Sequence, residues 1–150
     1  MTENKEENKV LNNPQVNIRM KLAGLWIAVM FCYLYADILA FYDPYLLGEI
    51  QKGNMGFIGP ITQALKLGIG VVMSIPAIMV IVCCFVKPSI CRWLNIIFGT
   101  IFTLIITATI VISTLYYYIY FGILEISITI FIVWSGWKWP STITDSKNGL

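Results

Sequence analysis

Apolar residues run in long unbroken stretches along most of this chain, and charges sit at the edges of those stretches. From Leu67 to Val86 no charge appears, with Lys66 and Lys87 as brackets; from Trp93 to Leu124 there is none either, and beyond Glu125 the apolar pattern continues to Trp137. A helix needs about 20 apolar residues to cross a hydrocarbon core ~30 Å thick. The stretch from Trp93 to Trp137 is too long for one such helix and fits two, joined by a tight turn. The pattern therefore predicts four spans, at 22–41, 67–86, 94–114 and 119–137. No Gly or Pro marks the last turn; Tyr116, Tyr117, Tyr118 and Tyr120 do, because tyrosine rings collect where their hydroxyls reach water.

Composition fixes the class. Residues are 58% hydrophobic and 12% charged, whereas soluble domains carry roughly 25% charged residues. The expected fold is all-α, a polytopic membrane protein built as a four-transmembrane-helix bundle in the lipid bilayer. Four spans put the first tail, the connection between the second and third spans, and the last tail on one side. Those segments hold Lys5, Lys9, Arg19, Lys21, Lys87, Arg92, Lys138 and Lys147, against Lys52 and Lys66 on the other side. Basic residues stay cytoplasmic, so both termini are expected in the cytoplasm.

Residues 1–18 are rich in Asn, Glu and Lys and are expected to be a disordered tail, too polar to bury a core. Acids mix with the lysines and no small-residue cleavage motif follows the first span, so that span reads as an uncleaved anchor. Residues 140–150 form a short polar end. In the connection from Asp43 to Gln63, Asp43 and Pro44 read as an N-cap and first helical residue, and Gly53 as a terminator. A short surface helix is expected there, with Leu46, Leu47 and Ile50 on one face and Glu49 and Lys52 solvated; it either lids the bundle or anchors in the headgroups. Gly56, Gly59 and Pro60 then break the chain, and Thr62 caps the second span.

Two carboxylates, Asp37 and Glu125, lie inside the apolar runs. A carboxylate in hydrocarbon costs a few kcal/mol, so it marks a partner, a proton or a water-filled cavity. Asp37 lies five residues before Tyr42, roughly 8 Å below the outer boundary, and Glu125 seven past Tyr118, roughly 10 Å deep. Lys66 opens the second span at the same end. Helical spacing puts Tyr33 with Asp37, Lys66 with Gly70 and Ser74, and Glu125 with Phe121, Gly122 and Thr129. The small residues on the last two faces suit close helix packing, so both faces are expected to point inward. Two outcomes stay open. Lys66 pairs with an acid as a buried structural tie, or burial and like charge leave one carboxyl holding an exchangeable proton.

Other features are weaker. Asn95, Gly99, Thr103 and Thr107 recur every four residues and read as a helix-packing seam. Pro76 removes a backbone hydrogen bond, frees the Val72 carbonyl and is a candidate hinge. The four cysteines, Cys32, Cys83, Cys84 and Cys91, form no C-x-x-C pair, and the absence of His excludes a His-type metal cluster and an imidazole relay. No glycine-rich phosphate loop is present, no cofactor is implied, and a net charge of +2 without a basic stripe gives no support to nucleic-acid binding.

Four stretches carry a family resemblance: Tyr33-Leu34-Tyr35-Ala36-Asp37-Ile38-Leu39, Ile75-Pro76-Ala77-Ile78-Met79, Arg92-Trp93-Leu94-Asn95-Ile96-Ile97, and Ile132-Val133-Trp134-Ser135-Gly136-Trp137-Lys138-Trp139. Over roughly residues 20–139 the chain resembles an uncharacterised family of small bacterial four-helix integral membrane proteins. The resemblance implies the four-span architecture and a bacterial inner membrane, and no activity. Compact multidrug exporters share the size and a membrane carboxylate, but theirs stands in the first span among different residues. The leading expectation is an outward-facing pocket of Asp37, Glu125, Lys66 and Tyr33 that binds a small cationic or amphipathic ligand, with proton-coupled transport as its extension. Transport by so small a bundle would call for a homodimer. The alternative is a non-catalytic accessory or structural subunit of a membrane complex, with the acids as helix ties or docking contacts for a membrane partner protein. An enzyme is disfavoured: two carboxylates could do acid–base work, but nothing else of a catalytic site is recognisable.

Overall fold

The computed structural model describes residues 16–55 and 59–140. Of the expected tails, 1–18 and 140–150, residues 1–15 and 141–150 lie outside the described residues, as does Gly56, and Ile18 already belongs to the first helix. Five helices follow one another: α1 (Ile18–Ala40), α2 (Pro44–Gln51), α3 (Gln63–Phe85), α4 (Pro88–Ile112) and α5 (Tyr116–Trp137). All but α2 are long and apolar enough to cross a membrane. At 1.5 Å per residue, the 22 residues of α5 extend roughly 33 Å. Among the described residues there is no strand, only an isolated bridge between Asn54 and Pro60.

Helix starts follow local chemistry. The Asn17 side chain accepts from the Arg19 backbone N–H at 3.0 Å, so α1 begins four residues before the apolar run. Asp43 accepts from the N–H groups of Tyr45 and Leu46, Pro44 follows as the first residue of α2, and Gly53 (φ 77°) ends that turn in the left-handed region. Thr62 caps α3 through Leu65 N–H, and Pro88 opens α4 six residues earlier than hydropathy alone suggests. The tyrosine cluster does not form the last turn, as the sequence pattern suggested. The connection is Ser113–Leu115, closed by Leu115 N–H on the Ser113 hydroxyl, and the tyrosines are the first residues of α5.

The four long helices pack as α3 beside α1, α1 beside α5 and α5 beside α4, while α3 and α4 touch over a much smaller area. The short α2 makes no comparable contact with any of them, so it does not lid the bundle. Leu46 and Ile50 are half-buried, and Leu47 is exposed. Glu49 is not solvated as expected but half-buried: it accepts from Lys52 Nζ at 2.9 Å and from Asn54 at 3.3 Å. That ammonium holds the Glu49 carboxyl below the usual carboxylate range.

The α4–α5 contact is built on glycines. A Cβ on Gly99 would sit 2.8 Å from Val133 Cγ2, and one on Gly136 would sit 2.9 Å from Ile96 Cγ1. One turn beyond Gly99, away from Gly136, the Thr103 and Thr129 hydroxyls hydrogen-bond at 2.8 Å. Gly99 and Thr103 thus form the expected seam. Thr107 does not belong to it: its side chain is exposed and its hydroxyl returns to the Thr103 carbonyl at 2.7 Å.

Helix α3 does not bury the face that its small residues suggest. Lys66, Gly70 and Ser74 are exposed, and a Cβ on Gly70 would meet nothing within 4 Å. The buried face carries Pro76, Met79 and Cys83 instead. Cys83 lies two and a half helical turns past Ser74, on the opposite side, so packing the larger apolar residues turns the small-residue face outward. Ser74 satisfies its own hydroxyl on the Val71 carbonyl at 2.7 Å.

One end of the bundle is tied by polar contacts that hydropathy does not register. From the start of α1, Arg19 donates to the carbonyls of Cys83 (2.7 Å) and Val86 (2.6 Å) at the end of α3. From the start of α4, Arg92 donates to the Gly136 carbonyl (3.1 Å) at the end of α5. Each cation thereby meets unpaired carbonyls at the negative end of a helix dipole. Just beyond, the fully buried Asn95 accepts from Trp26 Nε1 at 2.7 Å and donates to the Cys91 carbonyl at 2.7 Å. The Cys83 and Cys91 sulfurs each lie 3.4 Å from the same Asn95 amide nitrogen.

Two substitutions separate the real seam from the apparent one. Gly99→Val must displace the stiff side chain of Val133, and overpacking of that kind costs about 1–3 kcal/mol. Thermal unfolding in detergent is expected to show a clearly lowered midpoint for Gly99→Val, and an unchanged or raised one for Gly70→Val.

Candidate functional site

At the tyrosine end of the bundle, the gap between α3 and α4 holds a cavity of about 120 Å³ to which all four long helices contribute. Its walls are mostly apolar, from Met73 on α3 and Ile106 and Ile110 on α4. Its polar groups are Tyr33 on α1, Thr109 on α4, and Tyr118 and Glu125 on α5. Pockets for drug-sized ligands run to roughly 300–1,000 Å³; this one has room for a few waters or a small ion.

The position of Glu125 follows from its helix. Gly122, Glu125, Thr129, Ile132 and Gly136 recur at three- and four-residue spacing and are all buried. The glycines at either end of that row admit α4, with Ile110 filling the space a Cβ on Gly122 would need. Packing the row therefore draws the carboxylate between them inside, leaving it 6% exposed. The expectation that this face points inward holds. Among the described residues, Glu125 has neither a hydrogen-bond donor nor an ion-pair partner; the salt bridge found is Lys52–Glu49.

Tyr33 is the other side chain the sequence singled out that reaches this cavity. Its hydroxyl donates to the Met73 carbonyl at 3.2 Å, next to the Val72 carbonyl that Pro76 leaves without its helical N–H. The stretch of α3 just before Pro76 is thus tied to α1 at the cavity wall. Pro76 itself is fully buried. Asp37 is half-buried one turn along from Tyr33, and its neighbour Ala36 lines the cavity.

Lys66 does not join them. It is exposed on the outward face of α3, so the expected ion-pair tie between Lys66 and an intramembrane acid does not form. The physical reason is the rotation of α3 that buries Met79 and Cys83. Among the described residues, no group of three or more His, Cys, Asp or Glu is placed to hold a metal ion.

Sequence reasoning passed over two residues that line this cavity and one that braces the other end of the bundle. Tyr118 reads in sequence as an interface marker, yet it lines the cavity. Thr109 carries no pattern that would select it. Trp26, whose indole N–H must find an acceptor when buried, is the partner of Asn95 and could have been inferred from that requirement.

Removing the Tyr33 hydroxyl tests its bracing role. Tyr33→Phe keeps the ring and loses one hydrogen bond, so a loss of about 0.5–1.5 kcal/mol is expected. Hydrogen exchange read along α3 should speed up locally around Met73 and stay unchanged in α5.

Comparison with known proteins adds a family and no activity. No curated protein and no solved structure matches the chain. A family model described as "Family of unknown function (DUF6326)" matches residues 10–145. With nearly its whole length matched, including every helix just described, the chain belongs to the DUF6326 family.

Proposed function

We propose that this chain is a multi-pass protein of a bacterial inner membrane, with both termini cytoplasmic, whose Glu125 cavity binds a proton or a small cation. The observation that carries this reading is the carboxylate itself, 6% exposed, facing an apolar cavity, with no donor or cation among the described residues. An ionised carboxylate so situated is costly, and a proton or a bound cation removes the cost. Asp37, one turn from Tyr33, supplies a second carboxyl, and Tyr33 and Tyr118 supply oxygens that can coordinate or relay. A volume of about 120 Å³ favours a small cation over a large amphipathic one. The loose α3–α4 side, with Pro76 in α3, offers the flexible wall that exchange with the outside requires. Coupling of proton exchange to movement of a cation across the bilayer, by a homodimer, is the extension of this reading.

A second reading keeps the acids structural and makes the chain an accessory subunit. The outward small-residue face of α3, Gly70 and Ser74, favours it, because such faces let a second transmembrane helix approach closely.

Labelling with an apolar carbodiimide, which attacks protonated carboxyls, separates the two. With the detergent-purified chain between pH 5 and 9, modification of Glu125 is expected to persist at pH 7, to fall when a bound small cation protects the site, and to be unaffected by Lys66→Met. Absence of Glu125 modification at neutral pH, with and without added cations, would sink the binding reading in favour of the accessory one.

A further inference from the structure

The arginine end of the bundle carries a second cavity, unrelated to Glu125. It lies between the start of α1 and the end of α5 and measures about 510 Å³. Its mouth is polar and cationic, with Asn17 and Lys21 from the α1 side and Ser135 and Lys138 from α5; no acid lines it among the described residues. Neither lysine has an ion-pair partner among those residues. Lys138 Nζ stands 4.6 Å from the centroid of the Trp134 ring, which holds the ammonium over the groove's apolar wall. Beneath it, Phe131 and Trp134 are about half exposed. Phe131 lies seven residues before Lys138, so the slot descends roughly 10 Å from the cationic mouth.

We propose that this groove binds one anionic phospholipid, its phosphate between Lys21 and Lys138 and the first part of an acyl chain along Phe131 and Trp134. The two halves of the groove point to that occupant together. A soluble anion would answer the lysines and leave the aromatic slot bare; a neutral lipid would fill the slot and leave two cations unanswered. Juxtamembrane lysines attract anionic headgroups, and the volume suits a headgroup with part of a chain. The inference rests on the bilayer setting proposed above, and not on the Glu125 cavity.

Native mass spectrometry of the full chain in detergent, offered equal phosphatidylglycerol and phosphatidylcholine, tests it. One phosphatidylglycerol is expected to be retained per chain, about 25-fold in preference to phosphatidylcholine, with roughly fivefold of that preference lost per lysine replaced. Lys21→Gln with Lys138→Gln should abolish the preference. Lys52→Gln with Lys66→Gln, at the opposite end, should leave it intact. Excess inorganic phosphate should not displace the lipid, since it cannot fill the slot. Equal retention of the two lipids, equal losses in both double variants, or displacement by phosphate would each overturn the site. Recovery of the chain in the soluble fraction without detergent would overturn the bilayer setting and this site together, whereas equal retention by a membrane-extracted chain overturns this site alone.

Discussion

Every polar group inside four apolar helices must find its partner within the bundle, and most of this architecture follows from that requirement. The carbonyls that end α3 are met by Arg19, and those that end α5 by Arg92. Asn95 takes up the Trp26 indole, a backbone carbonyl and two sulfurs at once. Thr100, Thr103 and Thr107 return their hydroxyls to the carbonyls four residues earlier, and Ser74 to that of Val71. These contacts also determine which helices are neighbours. Each arginine at the start of one helix reaches the end of an antiparallel one, so α1 is joined to α3 and α4 to α5 before any apolar packing is considered.

The two ends of the bundle are consequently unlike. At the arginine end, polar ties bring the end of α3 and the start of α4 together around Asn95. Toward the tyrosine end the same two helices make little contact, and the space between them is the cavity that holds Glu125. Glu125 escapes that rule, as does the buried Tyr117 hydroxyl: it is an acid buried by the glycine row it belongs to, at the place where the bundle closes least. An unanswered carboxyl beside a helix that contains a proline gives the proposed exchange of a proton or small cation its physical basis.

Membership in DUF6326, a family of unknown function, brings no chemistry to borrow. The functional reading therefore stands on side-chain geometry. Its two halves separate by position: the cation-binding proposal belongs to the cavity at the tyrosine end, and the lipid proposal to the lysine-lined groove at the other.

Hydropathy and charge by themselves determined that the chain is helical, the number and approximate limits of the long helices, the capped helix after Asp43, and the burial of Glu125 on a row with Gly122 and Thr129. Each is a local property, set by composition over one span or by residues three and four apart. The rotation of α3 was not local. Lys66, Gly70 and Ser74 make as plausible an inward face as Pro76, Met79 and Cys83 when the helix is considered alone; only packing against α1 chose the larger residues and turned the lysine away from the acids. Which polar residues would meet was likewise decided in three dimensions. Arg19 with Val86, Trp26 with Asn95 and Tyr33 with Met73 lie dozens of residues apart, and no periodicity within a helix encodes a hydrogen bond to another.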